Sequence, residues 1–264
     1  MTRWALGVEY NGAPFFGWQT QVGVPTVQAV LEEALARIAG APVRVIAAGR
    51  TDTGVHAAGQ VVHFDSTADR RPEAYVRGTN AGLPPEVAVL WARVVPDDFH
   101  ARFSAEARRY RYVLLDRRVR PGLLAGRVSF DHRALDASRM HEAAQALIGR
   151  HDFSSFRASQ CQAKSPVRTI HELTVRRHGP FVVLRVRADG FLHHMVRNVV
   201  GVLAAIGAGE RPVGWAEEVR QARDRSAGGL TASPQGLYLE AVDYPARYGL
   251  PSLVEGTAWS PFCD

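Results

Sequence analysis

One carboxylate stands out by its surroundings: Asp52, in Gly49-Arg50-Thr51-Asp52-Thr53-Gly54-Val55-His56. The two glycines have the spacing of a phosphate-binding loop, but Val55-His56 occupies the place of the lysine and hydroxyl residue that such a loop needs. Without them neither terminal phosphates nor magnesium would be held, so nucleotide hydrolysis is a poor fit. What the loop offers is an acid between an arginine and a flexible glycine. Glycines permit backbone torsions that present a side chain at a strand end or let a ligand approach closely. An unperturbed aspartate is ionised at neutral pH, which suits a nucleophile. From the local pattern alone Asp52 equally caps the turn or pairs with Arg50.

Other chemistries find less support. His141-Glu142 and His171-Glu172 each begin an HExxH pattern, yet Gln145 and Val175 stand where its second histidine belongs. His193-His194 are adjacent in an expected helix and so point to different faces. No second acid sits in a setting comparable to that of Asp52, which leaves a paired-carboxylate glycosidase without its partner. No metal or cofactor is expected.

The elements that must position Asp52 can be read from periodicity. Trp4 to Glu9 is expected as a buried strand. Thr26 is placed to cap a helix with Val27, Val30, Leu31, Leu35 and Ile38 at helical spacing, ended by Gly40. Val43 to Ala47 is a short strand, Gly49 to Gly59 a loop, and Gln60 to Asp65 a strand. Pro72 opens a helix ending near Gly82; Val87 to Val95 and Arg109 to Leu115 are strands. In the second half, Asp136 caps a helix carrying Met140, Ala143, Ala144, Leu147 and Ile148. His151 to Pro166 is expected as a long polar loop. A hairpin joins Val167 to Arg177 and Phe181 to Ala188. Helices span Leu192 to Ile206 and Trp215 to Asp224, and Leu237 to Val242 is the last strand. Hairpins mixed with helices in both halves predict an α+β fold. Two similar subdomains, 1–120 and 121–264, would share a largely antiparallel sheet flanked by helices. The boundary is placed near Pro121-Gly122, with the Asp52 loop in the first subdomain and the second completing the cleft.

Composition narrows the class. The 46% hydrophobic and 22% charged residues are those of a globular chain, and no apolar stretch is long enough for a membrane span. Met1-Thr2-Arg3-Trp4 runs straight into a strand, so no signal or transit peptide is expected. Cys161 and Cys263 lie far apart and fit a reducing, cytoplasmic setting. The net charge of +6 and a pI near 9.8 favour a polyanionic partner. Lys164 is the single lysine among the 32 basic residues. Arginine's planar fork suits phosphate, although codon bias or selection for heat stability would give the same excess. The distribution says more: between His100 and Arg120 seven arginines face two acids, with Phe103, Tyr110 and Tyr112 interleaved. An RNA-facing strand accounts for that segment better than a solvated charged one.

The signature loop resembles that of the TruA family of tRNA pseudouridine synthases. Glu9-Tyr10-Asn11-Gly12 and Phe16-Gly17-Trp18-Gln19 are similar to the family's opening block. Phe99-His100-Ala101-Arg102-Phe103-Ser104 and Arg108-Arg109-Tyr110-Arg111-Tyr112 are similar to its middle block. Phe191-Leu192-His193-His194-Met195-Val196-Arg197-Asn198 and Gly236-Leu237-Tyr238-Leu239 are similar to its late blocks. Thr53 stands where relatives often carry alanine, lysine or arginine. The resemblance implies that Asp52 is the nucleophile and that Tyr110 packs on the target base and helps proton transfer. It implies that Arg197 pairs with the aspartate, that Leu237 lies near the base and that Arg50 contacts the RNA backbone. It also implies a homodimer acting, without cofactor, on uridines of the tRNA anticodon stem-loop (positions 38–40). A non-catalytic tRNA-binding protein, or a nucleoside hydrolase using the same aspartate, are the alternatives.

Overall fold

The computed structural model describes residues 1–251. In chain order its strands and helices are β1 (Thr2–Tyr10), α1 (Val27–Ala39), β2 (Ile46–Ala47), β3 (His56–Ser66), α2 (Pro72–Gly82), β4 (Val87–Val94) and β5 (Ala107–Asp116). They continue with β6 (Ser129–Asp131), α3 (Ala137–Gln145), β7 (Gly149–Asp152), β8 (Val167–His178), β9 (Phe181–Ala188), α4 (Met195–Gly207), α5 (Trp215–Ala222) and β10 (Leu237–Asp243). The expected α+β class, with mostly antiparallel strands, is what the chain adopts. Two compact units divide it: Met1–Glu106 with the stretch from Tyr238, and Ala107–Leu237. Among the described residues no helix is long and apolar enough to cross a membrane. Cys263 lies outside the described residues.

In the first unit β1 lies antiparallel between β3 and β4, and β10 joins β3 in parallel through Tyr238↔His56 and Leu239↔Ala57. Helix α1 forms as its apolar spacing predicts, and Gly40 closes it in the left-handed region at φ +69°. Thr26 occupies the N-cap position with extended backbone, yet its buried hydroxyl makes no capping bond. One face of the sheet packs Trp4 and Phe64 around Tyr75 of α2, with ring centroids 4.7 and 5.3 Å apart. A second core gathers Ala5, Val61, Val95, Phe99 and Tyr248.

His63 sits at the edge of that second core and accepts from Ala101 N at 3.1 Å. Burial, with smaller contributions from His100 and Arg3, holds its pKa down at about 4; Asp65 opposes them weakly. Below about pH 6.5 the unfolded chain binds a proton on this imidazole that the folded chain refuses until about pH 4. Stability contributed by the neutral ring is therefore present above pH 6.5 and lost across that window. His63→Asn, which keeps an acceptor for Ala101, should show a shallower fall in urea midpoint between pH 7 and pH 4.5 than the wild type. Parallel pH profiles would remove His63 from this role.

The second unit is an antiparallel run β5-β9-β8-β7, with β6 parallel to β5. Asp136 caps α3 as expected, accepting from Ser138 N and Arg139 N at 2.9 and 3.0 Å. Three readings need correction. The long polar loop from His151 contains the end of β7 and a 3-10 turn, Ser154–Phe156, because Phe153 and Phe156 are pulled fully into the core. The loop around Asp52 ends early, since β3 begins at His56 rather than Gln60. Helix α4 starts at Met195, not Leu192: His194 adopts φ +62°, a left-handed residue that cannot belong to the helix.

Candidate active site

Asp52 lies between β2 and β3, where the backbone is held from several sides. Val55 N donates to Asp52 O at 3.1 Å and closes a four-residue turn whose third position, Gly54, has φ +75°. Thr51 O accepts from Trp18 N at 3.0 Å, and Thr51 Oγ1 meets the Tyr10 hydroxyl at 2.8 Å. Gln60 Nε2 donates to Gly49 O at 2.7 Å, and Gly12 N donates to His56 Nδ1 at 3.0 Å. Burial pushes the Tyr10 phenol up to about 12, so this hydroxyl stays protonated at neutral pH. Thr51, Val55 and His56 are buried, Asp52 is half-buried and Arg50 is exposed. The loop is thus a rigid base with its acid at the edge of solvent.

The segment after β1 forms the other wall of this cradle. A Cβ on Gly12 would stand 1.9 Å from Val55 O. One on Gly17, already at φ +87°, would stand 2.8 Å from Thr51 O and 3.2 Å from the Asp52 carbonyl carbon. Only glycine lets the two segments come this close. From the sequence Gly12 and Gly17 are turn formers in a loop after the first strand, and neither they nor Tyr10 and Gln60 are tied to Asp52 by any local pattern. Their signal was the density of turn-forming and aromatic residues directly after a strand. The His56 ring stacks on Tyr238 of β10 at 4.5 Å, tying the end of the loop to the sheet.

Arg50 and Asp52 share this loop of the first unit; Tyr110, Arg197 and Leu237 belong to the second. Tyr110, on β5, is buried with its ring edge-on to Phe191 at 5.0 Å. Arg197, in the first turn of α4, is half-buried and donates through Nε to Ala232 O at 2.8 Å, while Ala232 N donates back to Arg197 O at 3.1 Å. Leu237 is buried at the start of β10, just after the 3-10 turn Pro234–Gly236. A Cβ on Gly236 would lie 2.6 Å from Val113 O, so this glycine lets the turn press against β5.

Two expectations about the surroundings are corrected. His193 and His194, expected on different faces of a helix, lie in the turn before α4 with ring centroids 4.0 Å apart. The segment from His100 to Arg120 is not one RNA-facing strand. Tyr112 is fully buried, its hydroxyl bonded to Ser129 Oγ and Ser233 O at 2.5 and 2.6 Å. Arg111 is buried and Arg117 turns back onto Val119 O and Arg120 O. Of the three interleaved aromatics, Phe103 alone is exposed.

Fold and loop together define a class: an α+β protein that presents a carboxylate on a glycine-shaped, rigid turn, within a strongly basic chain. A family described as tRNA pseudouridine synthase matches residues 7–104 and 143–245. The tRNA pseudouridine synthase A of Pseudomonas aeruginosa is 59% identical over 95% of this chain and 88% of its own length. Those of Nitrosococcus oceani and Shewanella amazonensis are 58% and 53% identical, covering 95% and 98% of this chain and 97% and 99% of theirs. The chain belongs to the tRNA pseudouridine synthase family.

Proposed function

We propose that this chain isomerises uridine to pseudouridine in the anticodon stem-loop of tRNA, with Asp52 as the nucleophile. The observation that carries the reading is identity of 53–59% to synthases of that name over nearly the whole of each chain. The rigid Asp52 turn supplies a matching piece of chemistry. The target uracil leaves the stack, at a cost of about a few kcal/mol, which favours nucleotides in loops and at stem ends. Its N1–C1′ bond breaks, a C5–C1′ bond forms, C5 gives up a proton and N1 ends with one. Nothing is oxidised and no group leaves, so the reaction needs no cofactor. Asp52 meets the sugar in this scheme, and Tyr110 packs on the base. Arg197 pairs with Asp52, Leu237 forms an apolar wall and Arg50 meets the RNA backbone. Two copies acting as a homodimer in the cytoplasm complete the proposal.

The test is to incubate the protein with unmodified tRNA in excess EDTA and to map pseudouridine by carbodiimide treatment and primer extension. Modification at the 3′ side of the anticodon stem-loop is the expected result. An abasic sugar would mean a hydrolase, and unchanged RNA with retained binding a non-catalytic tRNA-binding protein.

The cradle supplies a prediction of its own. Gly17→Ala adds a strained left-handed alanine and a methyl against Thr51 O, so residues 51–53 must shift. A misplacement near 1 Å in a reacting group costs on the order of 100-fold. Single-turnover rates should therefore fall at least about tenfold, with tRNA affinity little changed. Wild-type turnover would mean that the opening segment does not position the acid.

A further inference from the structure

The loop between β4 and β5 ends in a side chain that folding does not explain. Phe103 is 75% exposed, the highest value for any Phe, Tyr or Trp among the described residues. It does not dangle. Ser104 N donates to His100 O at 2.8 Å, and His100 N donates to Ser104 Oγ at 2.9 Å. Arg102 N and Phe103 N both point at His100 Nδ1 from 3.2 Å. The His100 ring lies 4.4 Å from the Phe103 ring at 30°, and 4.7 Å from the ring of buried His63. Phe99, next to His100, is fully buried in the second core. None of the turn's hydrogen bonds uses the Phe103 side chain, so a polar residue would serve the turn and hydrate better.

A flat apolar ring, backed on one side and held out to water, meets the requirements for stacking on another ring. The Arg102 guanidinium lies over the ring, 5.4 Å from its centroid, which brings positive charge to that surface. An aromatic face with an adjacent cation fits a nucleobase carried on an anionic backbone. We propose that Phe103 is a stacking platform for an unpaired base of the tRNA, a contact separate from the Asp52 turn. This rests on the tRNA reading above. It commits to RNA as the occupant because an apolar protein surface would gain nothing from the neighbouring charge.

The test compares Phe103→Trp, Phe103→Leu and Phe103→Ala for affinity to unmodified tRNA, with melting temperature and oligomeric state measured alongside. Leucine keeps the apolar area without the π face, and tryptophan keeps both. The expected result is a dissociation constant at least about fivefold weaker for leucine and alanine, the lower end of what base stacking contributes, and near wild type for tryptophan. Equal affinities for tryptophan and leucine would overturn the proposal, whatever alanine does to folding. Unchanged tRNA affinity with an altered oligomeric state would assign the ring to a protein contact instead. A wild-type protein that makes no pseudouridine sinks the functional reading, whereas an active wild type with indifferent Phe103 variants sinks only this one.

Discussion

Asp52→Ala is expected to remove pseudouridine formation while leaving tRNA affinity within a few-fold of wild type. Bonds from outside its side chain hold the backbone that presents residue 52. Trp18 N, the Tyr10 hydroxyl and Gln60 Nε2 hold Thr51 and Gly49, and the turn closes through the Asp52 carbonyl. Alanine therefore keeps those backbone bonds and takes away the reacting group. Removing the nucleophile of a covalent mechanism costs on the order of 10⁴ to 10⁶ in rate. Binding should survive because RNA affinity is spread over many phosphate contacts. Release of the C5 hydrogen from tritiated uridine in tRNA, followed in single turnover, measures the first quantity, and titration with catalytically inert tRNA the second. Turnover within tenfold of wild type in a mutant purified free of host enzyme would take the nucleophile role from Asp52. A parallel collapse of binding would mean instead that the loop is part of the RNA-holding surface.

What the sequence made legible was whatever depends on neighbours along the chain. Helix α1 forms where Val27, Leu31 and Leu35 recur on one face, and Gly40 stops it because a left-handed residue is cheap only there. The Asp136 cap is equally local, a carboxylate two and three residues from the amides it satisfies. Where reading failed, the decisive contact came from far away. Gly59 looked like loop punctuation, yet it lies inside β3 and is small because Glu240 O of β10 would sit 2.3 Å from its Cβ. Tyr112 was expected, with its flanking arginines, on an RNA-facing strand. It is instead fully buried and finds its hydrogen bonds at Ser129 and Ser233. The same limit holds at the site. Asp52 was singled out by its own loop, but the glycines that shape that loop's other wall are Gly12 and Gly17, and no local pattern joins them to it.

Arg197 carries the second large expectation. It sits between buried Val196 and Asn198 in the first turn of α4, so its side chain leaves the helix at the rim of the apolar stripe. Its guanidinium is aimed, since Nε donates to Ala232 O and the Ala232 amide returns a bond to the Arg197 carbonyl. That stretch is itself pressed onto the helix, for a Cβ on Gly201 would stand 1.8 Å from Leu230 O. A side chain fixed at its Nε directs the rest of its fork one way, the geometry arginine uses to hold a carboxylate. The proposed carboxylate is Asp52. Losing one member of a buried pair strands the other at about 3–5 kcal/mol, and a half-buried pair costs less. Arg197→Met should then lower the single-turnover rate by about 100-fold or more. Arg197→Lys, which keeps the charge and loses the fork, should fall between the two. Coupling can be read without activity, from urea unfolding of Asp52→Asn, Arg197→Met and the double variant. If the side chains meet, the double variant is destabilised by less than the sum of the singles. Additive effects would separate them and leave Arg197 as the clamp on residues 230–232 alone.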